Sequence, residues 1–126
     1  MNTLHRHAAR AAMGAMASLA ATVAMADALS VPEVPIDATL VRNYQCQGGK
    51  SLKVTYYNTQ GGQSFALLLV KDKAMLFVDT LAGSGVKYVA GHYAWWTKGN
   101  HGDLYDLMAD PNAAPIIAGC TSSPGK

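Results

Sequence analysis

The sequence predicts an all-β fold, a small antiparallel barrel of eight strands closed by one disulfide, and three observations support this prediction. Short strand-like runs follow one another from residue 40 onward, and glycine-containing turns separate them every eight to fifteen residues. No stretch repeats its apolar residues at the spacing of a helix. These features fit a barrel or a sandwich, and closure into a barrel removes the exposed strand edges that promote aggregation.

Each predicted strand is bounded by turn residues. Residues 52–58 alternate apolar and polar side chains, as is typical of a strand with one buried face. Two continuous apolar runs, residues 65–70 and 74–78, are joined by the polar linker Lys71-Asp72-Lys73. The eight predicted strands are residues 40–46, 52–58, 65–70, 74–78, 86–90, 93–97, 104–108 and 116–120.

The first 26 residues have the pattern of a cleaved secretory signal. Arg6 and Arg10 precede a small, apolar run that is too short to span a membrane. Ala24-Met25-Ala26 then has the small-x-small form that signal peptidase accepts. We expect cleavage after Ala26 and a periplasmic location. Because the nearest cysteine is Cys46, a lipid anchor on the mature N-terminus is not expected, and neither is any other membrane anchor.

The remaining chain is predicted to have two parts and no net charge. Residues 27–38 contain two prolines and are expected to form an extended leader, and residues 39–126 are expected to form the barrel domain. The formal charge of +2 belongs to the two arginines of the signal. A neutral chain without a basic cluster is not expected to bind nucleic acid.

Two cysteines, Cys46 and Cys120, lie near the two ends of the predicted domain. Disulfides persist in exported proteins, so we expect the pair to be bridged. Closing so long a loop stabilises a fold by roughly 4 kcal/mol in the chain-entropy model. The close C-x-x-C spacing of a redox or metal-binding pair is absent.

Catalytic and metal-binding patterns are missing from the sequence, so we expect neither an enzyme nor a metal or other cofactor. G-x-S-x-G, H-E-x-x-H and a glycine-rich phosphate loop do not occur. A loose acidic group is formed by Asp103, Asp106 and Asp110. Such a group could bind calcium or act in catalysis, but aspartates near surface turns are far commoner. His92 and His101 are expected to be solvated residues on turns.

Ser84 and Lys98 are the candidate binding residues. If a hairpin loop spans residues 90–92, the two residues are equally far from Gly91 and face one another across a strand pair. Their Cβ atoms would then be about 5 Å apart. If the loop differs by one residue, the distance would be about 7 to 8 Å. A hydroxyl and an ammonium at this spacing can each meet one carboxylate of a retaining glycosidase, whose catalytic pair is about 5 to 5.5 Å apart. The residue types are also common in structural turns, so the pattern alone leaves both interpretations open.

The two tryptophans between these residues, Trp95 and Trp96, alternate sides of a predicted strand. At least one is therefore expected in the core, and Lys87 is positioned to cover the other through a cation–π contact.

Several motifs together are similar to a known family. They are Tyr44-Gln45-Cys46, the strand at residues 52–58, Ser84-Gly85-Val86-Lys87-Tyr88, Trp95-Trp96-Thr97-Lys98-Gly99 and the closing Cys120. In this order, and in a two-cysteine chain with an export signal, they resemble the bacterial inhibitors of C-type lysozyme, which comprise a membrane-bound lipoprotein form and a periplasmic form.

This resemblance implies an eight-stranded barrel whose loops enter the active cleft of a host C-type lysozyme, the expected protein partner. In that family the serine matching Ser84 hydrogen-bonds the catalytic aspartate, and the lysine matching Lys98 pairs with the catalytic glutamate. Gly85 and Gly99 belong to the same two motifs. Tyr88 is expected either to support the serine or to pack in the core.

The sequence departs from the family pattern after the lysine-glycine pair. An acidic residue that often follows is replaced by Asn100-His101-Gly102, so support from that acid is absent and His101 can make affinity depend on pH. The absence of a lipid-accepting cysteine favours the periplasmic form. The alternative function is a small-ligand-binding or envelope structural barrel, and a pocket lined by residues 65–70 would be its signature.

Overall fold

Eight antiparallel strands close into a barrel in the computed structural model, which describes residues 11–123. Each strand pairs with the next along the chain, and the last pairs with the first. A single 3-10 turn, Gln47–Gly49, connects the first two strands. The all-β class and the eight-stranded barrel are therefore confirmed. The strands are β1 (Ile36–Gln45), β2 (Ser51–Thr59), β3 (Ser64–Val70), β4 (Lys73–Thr80), β5 (Val86–Ala90), β6 (Tyr93–Lys98), β7 (His101–Asp106) and β8 (Ile117–Ser122).

Two strand boundaries differ clearly from the predictions. β1 begins at Ile36, so the last residues of the expected leader already belong to the sheet. β7 runs from His101 to Asp106, and its prediction at residues 104–108 was wrong. Gly102 looks like a turn residue in the sequence but lies inside β7, where a Cβ atom would come within 2.5 Å of the Trp95 ring. A glycine is therefore required there by packing rather than by a turn.

The predicted signal segment is only partly described. Residues 1–10, which include Arg6 and Arg10, lie outside the described residues, and residues 11–31 contain no helix or strand. Across residues 11–123 there is no helix whose length and apolar character would allow it to cross a membrane.

Alternating side chains from the strands fill the barrel. The largest fully buried side chains are Trp95, Phe77, Leu104, Val54 and Cys120. Cys46 and Cys120 form the predicted disulfide, with an S–S distance of 2.03 Å. The bridge joins Cys46, the residue after β1, to Cys120 in β8 and so fastens the two strands that complete the barrel.

A hydrogen-bonded aromatic group lies in the core and was not foreseen from the sequence. The Trp95 indole N–H donates to the Tyr56 hydroxyl at 2.8 Å, and that hydroxyl is 2.8 Å from the Tyr44 hydroxyl. The Tyr44 ring packs edge-on against Trp95, with centroids 5.1 Å apart. Every buried polar atom of the three rings therefore has a partner, which removes the cost of burying it. Burial is also the main reason that the pKa of Tyr56 is raised.

Candidate functional site

Ser84 and Lys98 lie at the same end of the barrel. Ser84 is in the connection between β4 and β5, and Lys98 ends β6 just before the turn to β7. In a barrel of consecutive antiparallel strands, alternate connections emerge at the same end, which places these two segments together. We call residues 83–85 and 98–99 the rim. The side chains of Ser84 and Lys98 are exposed there.

The register of β5 and β6 differs by one residue from the prediction. Ala90 pairs with Tyr93 across a two-residue loop, Gly91-His92, so the predicted loop at residues 90–92 was one residue too long. Gly91 has φ +55°, a conformation that suits glycine in such tight hairpin loops. With this register, Lys98 is directly opposite Gly85 rather than Ser84. Ser84 is therefore one residue from the position opposite Lys98 and lies outside β5, so the expected pairing of the two side chains across the strands was wrong, although both residues do lie at the same end of the hairpin.

Gly85 brings the serine loop against the lysine. Its φ is +65°, and a Cβ atom built on it would overlap the Thr97 carbonyl oxygen and lie 2.7 Å from Cγ of Lys98. A side chain at this position would therefore displace either the backbone of β6 or the stem of Lys98. Since Gly85 has none, its own backbone approaches the Lys98 side chain closely.

Trp96 holds the serine loop from the outer face of β6. Its indole N–H donates to the Ser84 carbonyl oxygen at 2.8 Å. The Lys87 ammonium lies 5.2 Å from the ring centroid, so the predicted cation–π contact is confirmed. The prediction that at least one tryptophan lies in the core is confirmed. Trp95 is fully buried, and Trp96 is only partly buried.

A shallow depression of about 260 Å³ lies beside Lys98, lined also by Trp96, His101, Asp103 and Tyr105. His101 is the first residue of β7 and pairs directly with Lys98, so its predicted place on a turn was wrong. The Asp103 carboxylate accepts the backbone N–H of Gly119 at 2.7 Å. Within residues 11–123, no carboxylate lies within ion-pair distance of Lys98. Its ammonium group can therefore pair with a carboxylate of another molecule.

The aspartates in and after β7 have structural roles. The Asp106 carboxylate lies 2.7 Å from Nδ1 of His92 and accepts the backbone N–H of Met108 at 3.0 Å. Both contacts hold the pKa of Asp106 below its usual value, and the hydrogen bond with His92 has the larger effect. Asp110 accepts the backbone N–H of Asn112 at 2.8 Å and so stabilises its own turn. In the described part of the chain, His, Cys, Asp and Glu side chains form no group that could hold a metal ion.

Tyr88 points into the barrel. It is 6% exposed, its ring packs 5.6 Å from that of Tyr56, and its hydroxyl lies 3.3 Å from the Ser64 hydroxyl. Burial raises the pKa of Tyr88. Of the two roles expected from the sequence, the structure favours core packing. Tyr88 lies on β5 three residues beyond Gly85, and its contacts are with Tyr56 and Ser64 in the barrel.

Comparison with known proteins identifies relatives over most of the barrel. The family model described as membrane-bound lysozyme-inhibitor of c-type lysozyme, MliC, matches residues 44–113. A protein of Cupriavidus necator named membrane-bound lysozyme inhibitor of C-type lysozyme is 47% identical over 88 residues, covering 70% of this chain and 69% of that protein. One of the same name from Pseudomonas aeruginosa is 39% identical over 84 residues, covering 65% of each chain.

Two solved structures have the same fold. Pseudomonas aeruginosa MliC, in a complex with hen egg white lysozyme, matches with a TM-score of 0.61 and 31% identity, covering 79% of this chain and 98% of that one. The periplasmic lysozyme inhibitor of C-type lysozyme from Salmonella typhimurium matches with a TM-score of 0.60 and 21% identity, covering 68% of this chain and 99% of the other.

Proposed function

The chain belongs to the family of membrane-bound lysozyme inhibitors of C-type lysozyme, an inhibitor family rather than an enzyme family, and we propose that it inhibits a C-type lysozyme by inserting the rim into the active cleft. The Pseudomonas aeruginosa relative was crystallised with hen egg white lysozyme, which makes that enzyme the natural test partner. We further propose that the chain is exported to the periplasm after cleavage at Ala26.

The proposed mechanism blocks both catalytic carboxyl groups of the enzyme. Lysozyme uses one carboxyl as the general acid and the other as nucleophile or stabiliser, and retaining enzymes hold them about 5 to 5.5 Å apart. The Ser84 hydroxyl donates a hydrogen bond to the aspartate, while the Lys98 ammonium pairs with the glutamate. Charge-assisted contacts of this kind are stronger than neutral ones, and they form where water is excluded.

The close approach of Gly85 to Lys98 is the observation that carries this proposal. It places the loop that carries Ser84 against the stem of Lys98, whose exposed ammonium group has no carboxylate within ion-pair distance in residues 11–123. The hydrogen bond from Trp96 to the Ser84 carbonyl oxygen restrains the same loop. A binding group that is already ordered loses less conformational entropy when the complex forms.

Recognition in this proposal is local rather than long-range. Without the predicted signal, basic and acidic residues are equal in number, so net charge gives no attraction toward a basic enzyme. Specific contacts of Ser84 and Lys98 must then supply the affinity.

Titration of the purified exported chain into two muramidase assays tests the proposal. Hen egg white lysozyme is the C-type enzyme, and a G-type lysozyme is the matched control. We expect stoichiometric loss of activity with the C-type enzyme and little loss with the G-type enzyme. Full activity of both enzymes at an excess of the chain would refute the inhibitor proposal.

A further inference from the structure

The barrel wall is open along part of one seam. Pairing between β2 and β3 stops at Thr55 and Leu67. The first residues of β2, 51–54, pair only with β1, and the last residues of β3, 68–70, pair only with β4. In a continuous ladder these two segments would be neighbours. We call the opening between them the β2–β3 fissure.

The β2–β3 fissure is large enough for a small ligand and mostly apolar. Its volume is about 830 Å³, within the range of about 300 to 1,000 Å³ that is typical of small-molecule sites. Leu67 and Leu69 line it from the outer side of β3, and Leu68 lines it from the inner side. Ile117 and Leu104 line it from β8 and β7, across the barrel. Leu68 and Leu104 are buried and form the floor of the fissure, so an alkyl chain could lie in it against an apolar surface.

Positive charge is concentrated at the mouth of the fissure. Lys50, Lys53 and Lys71 line it and are exposed, whereas Asp72 is the one acidic residue among the lining side chains. Across residues 11–123, none of these ammonium groups is within ion-pair distance of a carboxylate. Since the chain without the predicted signal is neutral, this grouping of three lysines is a local excess. It is complementary to an anionic group held at the surface.

We propose that the β2–β3 fissure binds one anionic single-chain amphiphile. Its alkyl chain lies among the leucine and isoleucine side chains, and its phosphate or carboxylate head lies between Lys50 and Lys53, since the Lys71 ammonium is directed toward the Tyr93 ring, 5.9 Å from its centroid. The site is at the opposite end of the barrel from the rim, because it adjoins the β1–β2 and β3–β4 connections. Binding here is therefore independent of lysozyme inhibition.

Calorimetric titration with dodecyl phosphate, below its critical micelle concentration, tests the proposed ligand class. We expect saturable binding of one molecule per chain. Dodecyltrimethylammonium has the same alkyl chain with the opposite charge, and inorganic phosphate has the head without the chain. Each is expected to bind at least tenfold more weakly. Absence of saturable binding, or equal binding of the cationic amphiphile, would overturn the proposal.

Variants test the location of the site. The double variant Lys50→Gln/Lys53→Gln should bind dodecyl phosphate at least tenfold more weakly, whereas Lys87→Gln, which is remote from the fissure, should bind it normally. Leu69→Trp should block the groove without unfolding the barrel, because Leu69 is 55% exposed. Circular dichroism checks the fold of each variant. Normal binding by folded Leu69→Trp would overturn the assignment to the fissure.

A lysozyme assay separates this proposal from the previous one. Saturation with dodecyl phosphate, or the Leu69→Trp substitution, should leave inhibition of hen egg white lysozyme unchanged. A loss of inhibition in either case would contradict the independence of the two sites.

Discussion

Trp95 and Trp96 are consecutive residues of β6 with different roles, because successive side chains of a strand point to opposite faces. Trp95 is fully buried and donates its N–H to the Tyr56 hydroxyl. Trp96 is partly exposed and donates its N–H to the Ser84 carbonyl oxygen. The inner face of this strand thus stabilises the barrel, while the outer face positions the rim. Substitutions on the two faces should change different measurements, stability in one case and inhibition in the other.

The largest effect on inhibition is expected from Lys98→Ala. Removing the ammonium leaves a carboxylate of the enzyme desolvated and unpaired, which costs roughly 2 to 5 kcal/mol of binding free energy. Ser84→Ala should weaken inhibition less, because it removes a neutral hydrogen-bond donor. Both variants should keep the circular dichroism spectrum of the parent chain. Normal inhibition by the double variant would show that these residues do not form the binding site.

Gly85→Ala is expected to lower both the stability of the barrel and the inhibition of lysozyme. The added methyl group would overlap the Thr97 carbonyl oxygen at a position with positive φ, and strain of this kind costs about 1 to 3 kcal/mol. Stability in urea and inhibition of lysozyme should both fall. Gly83→Ala is the matched control in the same loop, because nothing lies within 4 Å of its added Cβ atom. Equal behaviour of the two variants would contradict the close approach of the loop to β6.

Tyr56→Phe should change stability alone. It removes the acceptor of the Trp95 N–H and the partner of the Tyr44 hydroxyl, which should lower the free energy of unfolding by about 1 to 3 kcal/mol. Inhibition should be unchanged wherever the variant is folded. Tyr57→Phe, one residue along β2 and on the outer face, is the control and should unfold like the parent chain. Weaker inhibition by folded Tyr56→Phe would contradict the claim that the inner face of β6 affects stability and the outer face affects inhibition.

The smallest effect is expected from Trp96→Phe. This variant keeps an aromatic ring beneath Lys87 but loses the hydrogen bond to Ser84, a change worth about 0.5 to 1.5 kcal/mol. A less ordered rim should bind lysozyme more slowly, so stopped-flow association rates should fall while urea stability is retained. Unchanged association rates would mean that Trp96 does not position the rim.

The strands were predictable because each depends on a local pattern. Alternation in residues 52–58 and the apolar run in residues 65–70 were sufficient for β2 and β3, and the Lys71-Asp72 loop is the tight connection that was expected. β7 was misplaced because Gly102 serves the packing of Trp95 on a neighbouring strand. A requirement that arises between strands leaves no pattern in the sequence of one strand.

The sequence predicted that the two candidate residues lie at the same end of one hairpin, but not their register. Ser84 and Lys98 were proposed from residue type and motif, whereas the register depended on whether the hairpin loop had two or three residues. The hydrogen bond from Trp96 to a backbone carbonyl had no sequence signal, because any residue at position 84 offers the same acceptor. The β2–β3 fissure likewise results from where pairing stops, which depends on the whole barrel.

Competition with a chitin oligosaccharide that occupies the lysozyme cleft tests insertion of the rim most directly. Calorimetric titration of the chain into hen egg white lysozyme would be repeated at increasing oligosaccharide concentrations. If Ser84 and Lys98 occupy the cleft, the apparent Kd of the chain rises in proportion to the oligosaccharide concentration once the cleft is saturated. An apparent Kd that stays constant while the cleft is saturated would contradict the proposed mechanism.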